Sequence, residues 1–121
     1  MPRLISFIAI ARHRLDGESS PESAIAQFGA RWGQVEATAA AALTAFDRID
    51  AVLPAAVLRH RIGVFSPEDT RAIRDALVGV PAEVVTELDA DAVTSAIYGA
   101  LRETTEEAIR RDGCLVVEIQ G

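Results

Sequence analysis

The sequence predicts an α/β or α+β domain: a four-stranded, mostly parallel or mixed sheet with helices packed on it, in the order β-α-β-α-β-α-β. Three observations carry that reading. Short apolar runs rich in β-branched and aromatic residues, RLISFIAIA (3–11) first among them, read as strands covered on both sides. Ser-Pro-Glu occurs at 20–22 and again at 66–68, and each copy reads as a helix start. The serine caps, the proline takes the first helical position, and the carboxylate sits near the positive helix end. Apolar runs alternate with segments of three-or-four spacing, an order that favours right-handed crossovers and a substantially parallel sheet.

In chain order, the first strand delivers Arg12 and Arg14 to one face and His13 to the other. From Pro21, the residues Ile25, Phe28, Trp32, Val35, Ala39, Leu43, Phe46, Ile49 and Leu53 keep a helical spacing. One unbroken helix over that stretch would be about 50 Å long, wider than the domain, so a break is expected near Gly29 or Gly33. Pro54 ends the segment, and AAVLRHRIGVF (55–65) reads as a second strand. Ser66 caps a shorter helix holding Ile73, Ala76 and Leu77, ended by Gly79 and Pro81. AEVVTEL (82–88) reads as a third strand, Asp89 as the cap of a helix over 90–111, and CLVVEIQ after Gly113 as a last strand with one buried face through Leu115, Val117 and Ile119.

With 121 residues, 50% of them hydrophobic, the chain fits one domain over 1–121 and has too much apolar surface for disorder. No apolar run approaches the roughly 20 residues of a membrane span, and the N-terminus lacks a signal-peptide layout, so a cytoplasmic protein is expected. A formal charge of -6 disfavours nucleic acid, whose phosphates need clustered cations. All 12 basic residues are arginine, the side chain better suited to planar anions. Cys114 is the single cysteine and reads as a buried strand thiol; with no Cys/His ligand spacing, neither a metal nor an organic cofactor is expected.

The Ser-Pro-Glu starts belong to a longer repeat, RHRLDGESSPE (12–22) and RHRIGVFSPE (59–68), which contains both histidines. If both copies are strand-to-helix junctions, Arg12, His13 and Arg14 in one, and Arg59, His60 and Arg61 in the other, stand beside a helix N-terminus. Unpaired N–H groups, the helix dipole and arginine all favour anions there. The alternative is that Ser-Pro-Glu recurs because it starts helices and Arg-His-Arg is a solvated strand end. With an unperturbed pKa of about 6.5 the two histidines could serve as acid and base, a value that flanking arginines would depress unless a carboxylate intervened. Glu87, Asp89 and Asp91 form a local carboxylate cluster better read as capping than as a cation site. No phosphate-cradling glycine loop and no serine–histidine spacing supports nucleophilic catalysis.

Pro2 follows the initiator Met, and removal of Met1 would leave a secondary amine able to act as a general base. With Pro2 leading a buried strand that ends at Arg12, and with GVFSPED (63–69) as a second strand-to-helix junction, the chain resembles the tautomerase superfamily. That resemblance implies two βαβ modules, a proton moved on an enol, keto or unsaturated carboxylic acid by Pro2, Arg12 holding the substrate carboxylate, and Arg59 or Arg61 as auxiliaries.

Two functions are therefore expected to compete. The first is a tautomerase-like isomerase with Pro2 and Arg12 in one pocket and a small carboxylate ligand. The second is a non-catalytic oligomeric or partner-binding module, with an anion site at the Arg-His-Arg loops and a homo-oligomer interface on one-faced strands and the Ala-rich stretch 37–45. The second predicts an exposed Pro2 and an apolar surface patch elsewhere.

Overall fold

The computed structural model describes residues 2–17, 19–53 and 63–120. In chain order it runs β1 (Pro2–Ala11), α1 (Arg12–Asp16), α2 (Pro21–Phe28), β2 (Ala30–Thr38), α3 (Ala39–Val52), β3 (Gly63–Val64), α4 (Pro67–Val78), α5 (Ala82–Asp89), α6 (Ala92–Arg110) and β4 (Gly113–Gln120). The four strands form one sheet in the order β2-β1-β4-β3. All its described pairings are antiparallel, so the fold is α+β and the expected parallel pairing and βαβ order are not found.

β1 is the centre, as its two apolar faces require. Ile5 and Phe7 point into the larger core with Val35, Leu115 and Val117 from the neighbouring strands and Phe46, Ile49, Ile73, Leu77, Ile97 and Leu101 from α3, α4 and α6. Ile8 and Ile10 point the other way, into a small cluster with Ala24, Cys114 and Val116, closed by Leu15, Ile25 and Phe28. Full burial of each such aliphatic or aromatic side chain contributes about 1.5–3 kcal/mol, so the larger core dominates the stability. β4 lies between β1 and β3 and buries Cys114, Leu115, Val116 and Val117 in succession. It is two-faced where one face was expected.

The expected long helix is instead a helix, a strand and a helix. Gly29 ends α2 in an extended conformation. A Cβ there would stand 2.6 Å from the Ile25 carbonyl oxygen and 2.8 Å from Ile8 Cγ2, so only glycine lets the chain turn this close to β1. β2 then buries Val35 and Ala37 and exposes Gln34, Glu36 and Thr38, a period of two. Val35 and Ala39 fit helical spacing equally well, which is why the sequence reads both ways. Gly33 marks where β2 crosses α6, since its Cβ would lie 2.9 Å from Ala100 Cβ. Thr38 caps α3 by accepting the Ala41 N–H at 3.2 Å, so the Ala-rich stretch divides between strand and helix, and its Ala42 and Ala45 face the core.

Residues 82–88, expected as a strand, lie in the helix α5. Val85 and Leu88, three apart, face inward while Glu83, Thr86 and Glu87 are exposed, a helical division. With no strand between α4 and α6 there is no parallel crossover, and β4 returns to pair with β1. Residues 55–62 of the expected second strand lie outside the described residues; Gly63–Val64 is strand, paired with β4.

The remaining helices follow their local chemistry. Ser20 accepts the Ser23 N–H at 3.2 Å and Ser66 accepts the Asp69 N–H at 3.0 Å, with a proline at the start of each helix. Ile73 and Leu77 of α4 are fully buried. Buried Thr70 accepts the Leu115 N–H at 3.0 Å, tying the start of α4 to β4. α6 is capped by Asp91 rather than Asp89: its carboxylate accepts the Thr94 N–H at 2.9 Å and the Thr94 hydroxyl at 2.7 Å. Tyr98 donates to the Leu77 carbonyl at 2.8 Å, and Glu107, nearly buried, meets Arg110 at 2.7 Å and Arg111 at 2.9 Å.

Candidate functional site

Among the described residues, those singled out by the sequence do not converge. Pro2 is exposed at the start of β1, opposite Thr38. Arg12 follows the other end of that 10-residue strand, about 30 Å away at the usual strand rise. One small carboxylate cannot touch both within a chain. Nor does the strand deliver Arg12, His13 and Arg14 to alternating faces, because β1 stops at Ala11 and the three begin the exposed helix α1. Arg12 approaches Asp16 at 3.5 Å, and the Arg14 guanidinium stacks on the Phe28 ring at 4.5 Å from its centroid. His13 is exposed. Arg59, His60 and Arg61 lie outside the described residues, so of the repeat the structure shows both Ser-Pro-Glu helix starts and one Arg-His-Arg.

The acidic cluster is spoken for locally. Asp91 caps α6, lies 3.6 Å from Arg48, and has its carboxyl pKa lowered, chiefly by the Thr94 hydroxyl. Asp89 accepts the Ser95 hydroxyl at 2.9 Å. Among the described residues no three His, Cys, Asp or Glu side chains are grouped as a metal site requires, and no helix is long and apolar enough to cross a membrane. Burial pushes the Cys114 thiol up, away from the reactive thiolate.

What sequence reasoning missed lies on the second face of the sheet. Among the described residues α2 packs over Ile8, Ile10 and Val116 on that face, and a cleft of about 570 Å³ lies beside it. Its floor and walls are Ile8, Ile25, Ala26 and Gly29, and its polar groups are Glu22, Arg31 and Glu118. Each charge arrives from a different element. Glu22 stands in the first turn of α2, Arg31 follows the Gly29 turn into β2, where it pairs with Ile8, and half-buried Glu118 lies on β4 opposite Ser6. None of the three has a hydrogen bond or ion pair among the described residues. A second cleft of about 440 Å³ adjoins the first. The two share Glu22, Ile25 and Glu118, and the second continues past Val64, Val116 and Ile119. Positions 22, 31 and 118 carry no common spacing, so no sequence signal joins them.

A third cavity, of about 280 Å³, is almost wholly apolar. Leu43 and Phe46 of α3 line it with Ile5, Ala37 and Ile119, and Arg3 is its one charged residue.

No family model, no curated protein and no solved structure matches the chain.

Proposed function

We propose that this chain is a non-catalytic binding module whose working surface is the cleft beside α2 on the second face of the sheet. One observation carries the reading: Arg31, Glu22 and Glu118 line a single cleft and none of them is paired among the described residues. Arg12, Arg14, Arg74, Arg110 and Arg111 meet acids or a ring. Arg31, like Arg3 and Arg102, has no such partner among the described residues, and it is the one that shares its cleft with the unpaired Glu22 and Glu118. Unpaired charges of both signs over an apolar floor suit a small polar ligand. The placement of Pro2 and Arg12 at opposite ends of β1 supports the same reading. Thermal denaturation against a panel of small charged metabolites tests it. Some of them are expected to raise the melting temperature of the wild type with concentration and to leave Arg31→Ala unmoved. A panel without effect on the wild type removes the reading.

A tautomerase-like isomerase with Pro2 as the base is favoured by one observation, the Arg3-lined apolar cavity one residue along from Pro2. In that reading Arg3 takes the carboxylate role first given to Arg12. It requires an intact mass showing Met1 removed, and enol–keto conversion of a keto acid that Pro2→Ala abolishes. The binding-module reading expects wild type and Pro2→Ala to be equally inactive.

A further inference from the structure

We infer that the ligand of this cleft is an α-amino acid with an aliphatic side chain, held as its zwitterion. The inference rests on the binding-module reading and names the ligand class. The charges decide against simpler ligands. A lone carboxylate on Arg31 would share the cleft with the Glu22 and Glu118 carboxylates, and a lone cation between those two would face the Arg31 guanidinium. A ligand bearing both charges satisfies all three residues, with its carboxylate on Arg31, where two parallel N–H bonds are available, and its ammonium on the acids.

The order of groups along the two clefts gives the rest. Arg31 lines only the first cleft, and Glu22 and Glu118 line both. Val64 and Val116, paired across β3 and β4, line the second and not the first. Carboxylate, ammonium and apolar group therefore follow one another in space as they branch from one α-carbon. Val64 is 44% exposed on β3 and is the apolar surface that such a side chain would cover.

The test is a backbone-amide NMR titration of the full chain with L-leucine, 4-methylpentanoate, leucinamide and glycine. Leucine is expected to bind, with shifts concentrated at Ile25, Val64 and Val116. Losing the ammonium, the carboxylate or the side chain is expected to weaken binding about tenfold or more in each case. Arg31→Ala should make leucine no better than leucinamide, and Glu118→Gln should make it no better than 4-methylpentanoate. Melting temperatures of both variants without ligand show whether the fold is intact. Should either variant unfold, the wild-type ranking of the four compounds still decides. Equal binding of all four at the cleft would overturn the inference while leaving the binding module, and shifts away from the cleft would overturn both. Binding of none of the four, when another charged metabolite does raise the melting temperature, overturns only the ligand class. No response to any charged metabolite overturns both.

Discussion

α2 and α4 share a Ser-Pro-Glu start and the same capping hydrogen bond, from the N–H three residues on to the serine hydroxyl, yet they end in different structural roles. α4 buries Thr70, Ile73 and Leu77 in the larger core, whereas α2 fully buries only Ala24. A shared start signal fixes where a helix begins, and the apolar stripe behind it fixes how far the helix is committed to the fold. Truncation should expose the difference. Leu77→Ala removes most of a fully buried side chain and is expected to cost about 2–5 kcal/mol in urea denaturation. Ile25→Ala, at a half-buried position beside the cleft, should cost about 1 kcal/mol. Equal costs would mean that α2 is as deeply committed as α4, and the comparison would fail.

The caps themselves sharpen the point. Ser66→Ala is expected to lower global stability by about 1 kcal/mol, because α4 cannot open without the main core. Ser20→Ala removes the same hydrogen bond, but α2 rests on a small cluster and can open while the sheet and the larger core stay closed. Its effect should therefore appear as faster amide exchange confined to residues 21–28, with a smaller change in the global midpoint. If Ser20→Ala shifts the global midpoint as much as Ser66→Ala does, α2 unfolds with the rest.

The same contrast between local and distant causes explains what the sequence could reveal. Both Ser-Pro-Glu starts, the body of α6 and the apolar runs of β1 and β4 were legible because their signals lie within a few residues. β2 was not: Phe28, Trp32, Val35 and Ala39 keep a helical spacing, and only the close contacts of Gly29 with Ile8 and of Gly33 with Ala100 show why the chain is extended there. α5 was missed because adjacent valines, Val84 and Val85, favour strand locally, while burial of Val85 and Leu88 favours helix. The antiparallel sheet depends on β4 reaching β1 from the far end of the chain, a pairing that local spacing does not encode. The cleft was invisible for the same reason, since Glu22, Arg31 and Glu118 meet only through the register of β1 with both neighbours and the placement of α2 over it.

Asp91 extends the comparison of caps to a third helix and to the smallest expected effect. Serine caps α2 and α4, whereas α6 starts on a carboxylate whose pKa is lowered by the Thr94 hydroxyl, then by the Thr94 N–H, and then by Arg48. A carboxyl group with a lowered folded-state pKa stabilises the fold above its unfolded value of about 3.9 and loses that contribution as pH falls through the folded value. Acid should therefore weaken the start of α6 below about pH 4 while leaving the two serine caps untouched. Asparagine caps helices nearly as well as aspartate but does not titrate in this range. In Asp91→Asn, stability near neutrality should change little, and the part of the acid-induced decline due to this carboxyl should be missing from urea midpoints measured across that window. An unchanged acid decline in Asp91→Asn would show that protonation of Asp91 is not what loosens α6, and that its cap is as indifferent to pH as those of α2 and α4.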